Sequence, residues 1–229
     1  MGIVIVAGNS SSRRPLGVSH PTAMRTYLVE LLERLTAQER GANSDDSVSW
    51  HAHRQAEQLR DLSLVGELDA FLASNPPPRK RAAAYFIVGS IGRNCGAPEC
   101  ARMLIGYASQ EKDKYALSSM LGRLAEIPKP AHIDLEPLFA LLKDKRWLVR
   151  HAAIRSLSNV SSPEPEERLL ALLGSTADPD DLIYCHATLN RIGTSKSLAA
   201  LRSNLTSRKR DVKESAAAAI EAIEARTGP

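Results

Sequence analysis

Five segments of the chain share a short pattern in which an aliphatic residue is followed by a small or polar residue and, after one more position, by a second aliphatic residue. Each pattern closes a stretch with helical periodicity, in which apolar residues recur every three or four positions. The gaps between successive copies are 33, 36, 32 and 31 residues. This near-constant period is typical of tandem repeats. The copies begin at Val88, Leu121, Leu157, Leu189 and Ile220.

A shorter apolar segment precedes each of these helices. Pro98, Pro137 and Pro165 stand near the beginnings of three of these segments, where the missing backbone N–H costs little and the fixed φ suits helix entry. Proline-rich and Asp-Pro sequences between the segments indicate turns. The repeated unit is therefore helix, turn, helix, turn. The segments cover residues 64–72, 100–107, 135–142, 169–173 and 198–205.

One such helix pair cannot bury both of its apolar faces alone, so neighbouring pairs must stack to form a core. The pattern predicts an all-α fold, a right-handed α-solenoid of about five helix pairs over residues 63–229. A less regular helical pair over 19–62 is expected to cap its beginning, and residues 1–18 are expected to form a flexible leader. The predicted repeats are 64–94, 98–127, 134–160, 164–193 and 195–225.

Composition supports this class of fold. Hydrophobic residues make up 43% of the chain and aromatic residues 4%, which suits helices packed closely on helices. The three cysteines form no dense framework, so we expect reduced thiols and a cytoplasmic location. The apolar run at the N-terminus is too short for a membrane span, and no membrane association is predicted. The formal charge of +4 is compatible with an acidic partner.

Two segments resemble the second helix of a HEAT-like repeat. They are RWLVRHAAIRSLSNV at residues 146–160 and RDVKESAAAAIEAIE at residues 210–224. The resemblance, to HEAT-like proteins of the phycobilisome-lyase type, covers roughly residues 64–225. It implies a repeat architecture and leaves the activity open: some related repeats are DNA-repair glycosylases, and others, as a remote alternative, are bilin lyases. The first two repeats depart from the pattern, because Lys80 and Asp113 stand where Val149 and Val212 stand later.

Basic residues occupy one predicted position in four of the five second helices. They are Arg81, Lys114, Arg150 and Lys213, and the fourth repeat has Leu182. Stacking would set these cations in a row. One interpretation is a structural ladder, in which each cation pairs with an aspartate of the turn between helices, such as Asp113 or Asp144. The other is a basic stripe for an acidic partner or for phosphates.

A second set of residues is predicted to line the concave face. Arginine beside aromatic side chains is the composition of binding hot spots. The sequence therefore predicts a protein or peptide partner, acidic in character, with nucleic acid as the alternative. Clustered cations over residues 194–213 could track a phosphate backbone or serve only solubility. The predicted binding residues are Tyr85, Arg123, Trp147, Arg150, His151, Arg155, His186 and Arg191.

No cofactor, metal site or catalytic residue is predicted. The histidines and cysteines lack the short paired spacing of a closed zinc site, and Cys185 falls at an apolar helix position that predicts burial. The chain has no glycine-rich phosphate loop, nucleophile elbow or HExxH motif. The leading hypothesis is a non-enzymatic interaction scaffold. A nucleic-acid-binding protein, including a glycosylase-like enzyme, is the alternative.

Overall fold

The computed structural model describes residues 24–38 and 47–228, and these contain twelve α-helices and two short 3₁₀ helices. The predicted leader lies outside the described residues, as do residues 19–23 and 39–46 of the predicted capping pair. The helices are α1 (Thr26–Leu35), α2 (Val48–Glu57), α3 (Leu64–Ala73), α4 (Pro78–Cys95), α5 (Pro98–Ala108), α6 (Lys114–Leu124), α7 (Glu136–Leu141), α8 (Trp147–Ser156), α9 (Glu164–Leu173), α10 (Pro179–Ile192), α11 (Leu198–Ser203) and α12 (Arg210–Thr227).

The even-numbered helices from α4 onward form one continuous layer. Helix α4 packs on α6, α6 on α8, α8 on α10 and α10 on α12. The odd-numbered helices from α3 onward each pack against the even-numbered helix that follows. Helices α1 and α2 pack on each other and on α4. Contacts therefore run between neighbours along the chain, as in other repeat proteins. The predicted all-α solenoid is confirmed.

Local sequence sets where the helices begin. Pro98 is the first residue of α5, and Pro137 and Pro165 are the second residues of α7 and α9, as predicted. The Asp113 side chain accepts hydrogen bonds from the N–H groups of Tyr115 and Ala116 in the first turn of α6, and the Asp178 side chain accepts one from the N–H of Asp180 in the first turn of α10. These N–H groups have no partner inside their own helix, so each aspartate stabilises a helix start.

The structure corrects the register of the second repeat. Val88, Leu157, Leu189 and Ile220 each lie eleven residues after the residue that caps the start of their helix. In α6, which is capped by Asp113, that position belongs to Leu124 rather than Leu121. The residues from 124 to 127, LAEI, also fit the pattern, and the gaps become 36, 33, 32 and 31 residues. The predicted register was three residues too early.

The close approach of α4 to its neighbours depends on glycine. A Cβ atom on Gly92 would lie 2.7 Å from Cys100 Cβ and 2.9 Å from Ile127 Cδ1. Cys100 and Ile127 are both fully buried. The smallest residue is therefore what lets α4 contact both α5 and the segment after α6.

Replacing Gly92 by alanine is expected to lower the free energy of unfolding by about 1–3 kcal/mol, because the added methyl group overpacks the core. Gly122, in α6, has open space around its Cβ position. Gly122→Ala should instead raise the free energy of unfolding by up to about 1 kcal/mol, through the higher helix propensity of alanine. Denaturant unfolding followed by circular dichroism checks both. Equal effects of the same sign would contradict the packing argument.

Candidate interaction surface

An ion-pair network links α8 to α10. Arg150 Nε donates to both carboxylate oxygens of Asp181, at 2.7 and 2.9 Å, and Arg150 Nη2 donates to Asp178 Oδ2 at 3.0 Å. Arg150 Nη1 donates to the backbone oxygen of Asp144 at 3.1 Å. Arg150 and Asp181 are both largely buried. Arg150 was predicted to bind a partner, but its guanidinium is already engaged by these intramolecular hydrogen bonds and is not available for a partner's carboxylate.

His151 lies beside this network and begins a row of aromatic rings. Its Nε2 donates to Asp181 Oδ1 at 3.0 Å, and its ring stacks on Tyr184 of α10, with centroids 4.4 Å apart. On the other side, the Trp147 ring lies 5.6 Å away. His151 is buried, whereas 63% of Trp147 is exposed. We call Trp147, His151 and Tyr184 the aromatic row. It connects an exposed indole to the surface of the next helix.

A similar network joins α4 to the segment before α6. Arg81 Nε and Nη2 donate to Glu111 at 2.7 and 2.6 Å, and the Tyr85 hydroxyl donates to the same carboxylate at 3.1 Å. Burial alone would raise the pKa of the Glu111 carboxyl, but these bonds and one from the Asp113 N–H lower it below its usual value. Burial also raises the pKa of Tyr85. Glu111 is therefore an ionised structural anchor.

The predicted row of cations is not continuous. Arg81 pairs with Glu111, and Arg150 pairs with Asp178 and Asp181, all of which belong to the following repeat. Lys114 is the first residue of α6, three positions away from the equivalent of Arg81, and its Nζ lies 4.9 Å from the centre of the Tyr115 ring. Lys213 occupies the equivalent position in α12 but is exposed and has no ion pair in the described residues. Two of the predicted cations therefore take part in separate ion-pair networks, one around Arg81 and one around Arg150.

Besides His151, two more of the predicted binding residues are buried. Tyr85 and His186 are almost inaccessible to solvent. His186 hydrogen-bonds to Ser215 at 2.9 Å and to Asn204 at 3.2 Å, and burial lowers the pKa of its ring to about 4. A neutral imidazole with both nitrogens engaged holds α10, α11 and α12 together. Cys185, beside it, is buried as predicted.

The predicted binding residue Arg123 also has intramolecular contacts. Its guanidinium lies 5.0 Å from the centre of the Phe86 ring of α4, and it pairs with Glu126 at 3.4 Å. Glu126 also pairs with Arg93 of α4 at 3.1 Å. One carboxylate thus serves two guanidinium groups from neighbouring helices.

Arg155 and Arg191 are exposed and line one groove of about 330 Å³. Neither guanidinium has a hydrogen bond or an ion pair within the part of the chain that the structure describes. We call this cavity the arginine groove. Tyr184 of the aromatic row also lines it. Trp147 and Arg155 lie eight residues apart on α8, on the same side of the helix as His151 between them, so Trp147 and the arginine groove are on one side of the layer. The remaining lining residues are Ala125, Glu126, Ser158, Ile183, Ala187 and Thr188.

Sequence reasoning identified both arginines of the groove but missed its walls. Tyr184, Ala187 and Arg191 are spaced three and four residues apart, and Ile183 lies four residues before Ala187, so all four lie on one side of α10. Their helical spacing is visible in the sequence. Apart from Arg191, these positions carry no charged or histidine side chain that would mark them as a candidate site.

One group of side chains has the composition of a metal site. Ligand-type atoms of His151, Asp178 and Asp181 lie within 4.8 Å of one another. The guanidinium of Arg150 already contacts both of these carboxylates. A bound cation would have to displace or oppose this buried positive charge, so the residues fit a guanidinium better than a metal ion.

The cations of residues 194–213 are partly neutralised. Arg202 pairs with Glu224 at 2.8 Å and Arg210 with Glu214 at 2.7 Å, and Lys196 lies 3.9 Å from Glu167. The remaining cations are Arg208, Lys209 and Lys213, which are exposed and have no ion pair in the described residues.

Comparison with known proteins identifies the family. The model for HEAT repeats matches residues 101–184 and 135–221, which together cover more than half of the chain. The chain belongs to the HEAT-repeat family. The match does not confirm the phycobilisome-lyase type. Among solved structures, the designed armadillo repeat protein YIII(Dq)4CqI is 14% identical, with a TM-score of 0.48 over 85% of this chain and 98% of that one.

No curated protein matches the sequence. Within the described residues, none of the helices combines the length and the apolar composition needed to cross a bilayer.

Proposed function

We propose that this HEAT-repeat chain is a non-enzymatic interaction module that holds a protein partner on the surface formed by the aromatic row and the arginine groove. The observation that carries this proposal is Trp147, a tryptophan whose side chain is mostly exposed on a helix in the middle of the layer. Tryptophan is enriched at protein interfaces, where its ring supplies a large apolar area and its N–H a hydrogen-bond donor.

The distribution of occupied and free side chains supports the same function. The buried polar groups of this region, Arg150, His151 and Asp181, satisfy one another inside the fold. The groups left free beside them are an indole and two guanidiniums, from Trp147, Arg155 and Arg191. Tryptophan and arginine are the residues most enriched in binding hot spots. Stacked repeats commonly use such extended surfaces for recognition.

The proposed partner is acidic in character and is met in the cytoplasm. Arg155 and Arg191 leave positive charge on the surface that a partner's carboxylates would neutralise. The free cysteines are compatible with a reducing compartment.

Replacing Trp147 by alanine is expected to weaken binding of a purified partner at least about tenfold, since hot-spot residues contribute about 2 kcal/mol or more and about 1.4 kcal/mol corresponds to tenfold. The partner is first captured from a lysate of the source organism, then expressed and titrated against the full chain by calorimetry. Trp50→Ala is the matched control, because Trp50 is similarly exposed, at 49%, but lies on α2 away from this surface. Equal affinity of wild type and Trp147→Ala would contradict the proposal.

A further inference from the structure

The arginine groove is built to receive one carboxylate from outside the chain. Resting on the proposed function, we propose that it binds an extended acidic segment of the protein partner, with an aspartate or glutamate side chain placed between Arg155 and Arg191 and an apolar side chain of the same segment against α10.

The charge pattern of neighbouring helices supports this assignment. Between α4 and α6, Glu126 serves Arg93 and Arg123 together. Arg155 of α8 and Arg191 of α10 also come from adjacent helices of the layer, but neither has a carboxylate partner in the described residues. Because Glu126 already shares two guanidiniums, the groove carries an excess of positive charge. A carboxylate supplied by a partner completes the arrangement, and guanidinium groups bind carboxylates with strong directional hydrogen bonds.

The floor of the groove offers a hydrogen bond as well. Ser158 is only 4% exposed, and its hydroxyl has no hydrogen-bond partner in the part of the chain that the structure describes. In that part, every side-chain N or O atom that is sealed from solvent has a partner. The Ser158 hydroxyl therefore keeps its accessibility through the groove that it lines. A backbone or carboxylate group of a bound segment would satisfy it.

The walls of the groove suit a peptide side chain. Ile183 and Tyr184 are half-buried and Ala187 is exposed, so α10 presents an apolar strip between the two arginines. The volume of about 330 Å³ lies at the lower end of the range of about 300–1,000 Å³ that small ligands occupy. A groove of this size takes one or two side chains of an extended segment.

Glu126 favours a carboxylate over nucleic acid. It stands at the same groove and would oppose the several negative charges of a phosphate backbone, whereas a single carboxylate can sit on the Arg155 and Arg191 side. The free cations at Arg208, Lys209 and Lys213 lie on the last repeat and its turn, not at the groove.

The test begins with a library of random twelve-residue peptides, displayed on phage and selected on the full chain. We expect enrichment of Asp or Glu next to an aliphatic residue. Affinity of the selected peptide for the variant carrying Arg155→Glu and Arg191→Glu is expected to fall at least tenfold. Replacing the peptide's acidic residue by lysine should restore binding to this variant. The matched control, Arg208→Glu with Lys209→Glu, makes the same charge change elsewhere and should bind like wild type.

Circular dichroism of each variant separates lost binding from lost folding. Selected peptides without acidic residues, or undiminished binding to the Arg155→Glu, Arg191→Glu variant, would overturn the groove proposal. If partner binding is lost in Trp147→Ala but not in the arginine variant, the groove proposal fails and the proposed function stands. If no peptide and no protein partner binds, while a duplex oligonucleotide binds with steep salt dependence, both fail.

Discussion

Replacing Asp181 by alanine should lower the free energy of unfolding by about 3 kcal/mol, the lower end of the cost of breaking a buried ion pair, because Arg150 keeps Asp178 as a partner but His151 loses its acceptor. The Asp181 side chain is only 5% exposed. It accepts hydrogen bonds from Arg150, from His151 and from the Thr176 hydroxyl. Among the described residues, no other side-chain acceptor is hydrogen-bonded to the His151 ring. The free energy of unfolding, from denaturant titration followed by circular dichroism, measures the effect.

Asp178→Ala is the control for this prediction. Asp178 also pairs with Arg150, but its side chain is 42% exposed, and its other role is to cap α10 through the Asp180 N–H. Losing this cap and an exposed ion pair should lower the free energy of unfolding by about 1 kcal/mol. Equal losses of unfolding free energy in the two variants would show that Asp181 contributes no more to stability than the exposed Asp178.

A double variant distinguishes the cost of leaving one buried charge without its partner from the net contribution of the ion pair to stability. Changing Arg150→Met together with Asp181→Leu removes both charges and leaves apolar side chains, so most of the stability should return. His151 loses its acceptor in either case, and its ring supports Trp147 and Tyr184. Partner binding should therefore remain weak even where stability recovers.

The sequence predicted the repeats well because helix pairs depend on local information. Proline at a helix start and the three- and four-residue spacing of apolar positions lie within one repeat. The second repeat was placed three residues early because two overlapping segments, beginning at Leu121 and Leu124, both fit the closing pattern. Only the packing of α6, which begins after Asp113, decides between them.

The candidate site was harder to predict because burial depends on distant partners. Tyr85 and His186 have the chemical character of binding residues, but Glu111 and Ser215, which engage them, lie 26 and 29 residues away. Arg155 and Arg191 were predicted from the same chemical character, and within the described residues no hydrogen bond or ion pair engages either guanidinium group. Composition identifies groups that can bind, and only the three-dimensional contacts show which of them the fold has already used.

Lys129 was not noticed in the sequence, yet it is fully buried in the segment after α6. Its Nζ donates to the backbone oxygens of Leu124 and Ile127 at 2.5 and 2.9 Å, and among the described residues no carboxylate contacts it. Burial lowers the pKa of this amine from 10.5 to about 7. The two hydrogen atoms of a neutral amine match the two carbonyl acceptors, whereas an ammonium group carries a third.

The lowered pKa makes stability depend on pH. Between pH 7 and pH 10.5 the unfolded chain holds a proton on Lys129 that the folded chain has released, so the unfolded state binds more protons and stability rises with pH. Below pH 7 both states are protonated, and the cost of burying the charge is fully present. Within this window the free energy of unfolding rises by up to about 1.4 kcal/mol per pH unit.

The measurement is the difference in free energy of unfolding between wild type and Lys129→Met from pH 6 to pH 10. Above pH 7, we expect the free energy of unfolding of wild type to rise relative to that of Lys129→Met. Burial raises the pKa of Cys100 and Cys185 to about 12, which lowers stability at high pH, but both proteins share these thiols and the difference cancels them. Lys143→Met, which removes an exposed lysine, should run parallel to wild type. A parallel curve for Lys129→Met as well would mean that the buried amine stays charged, stabilised by the carbonyls at the end of α6.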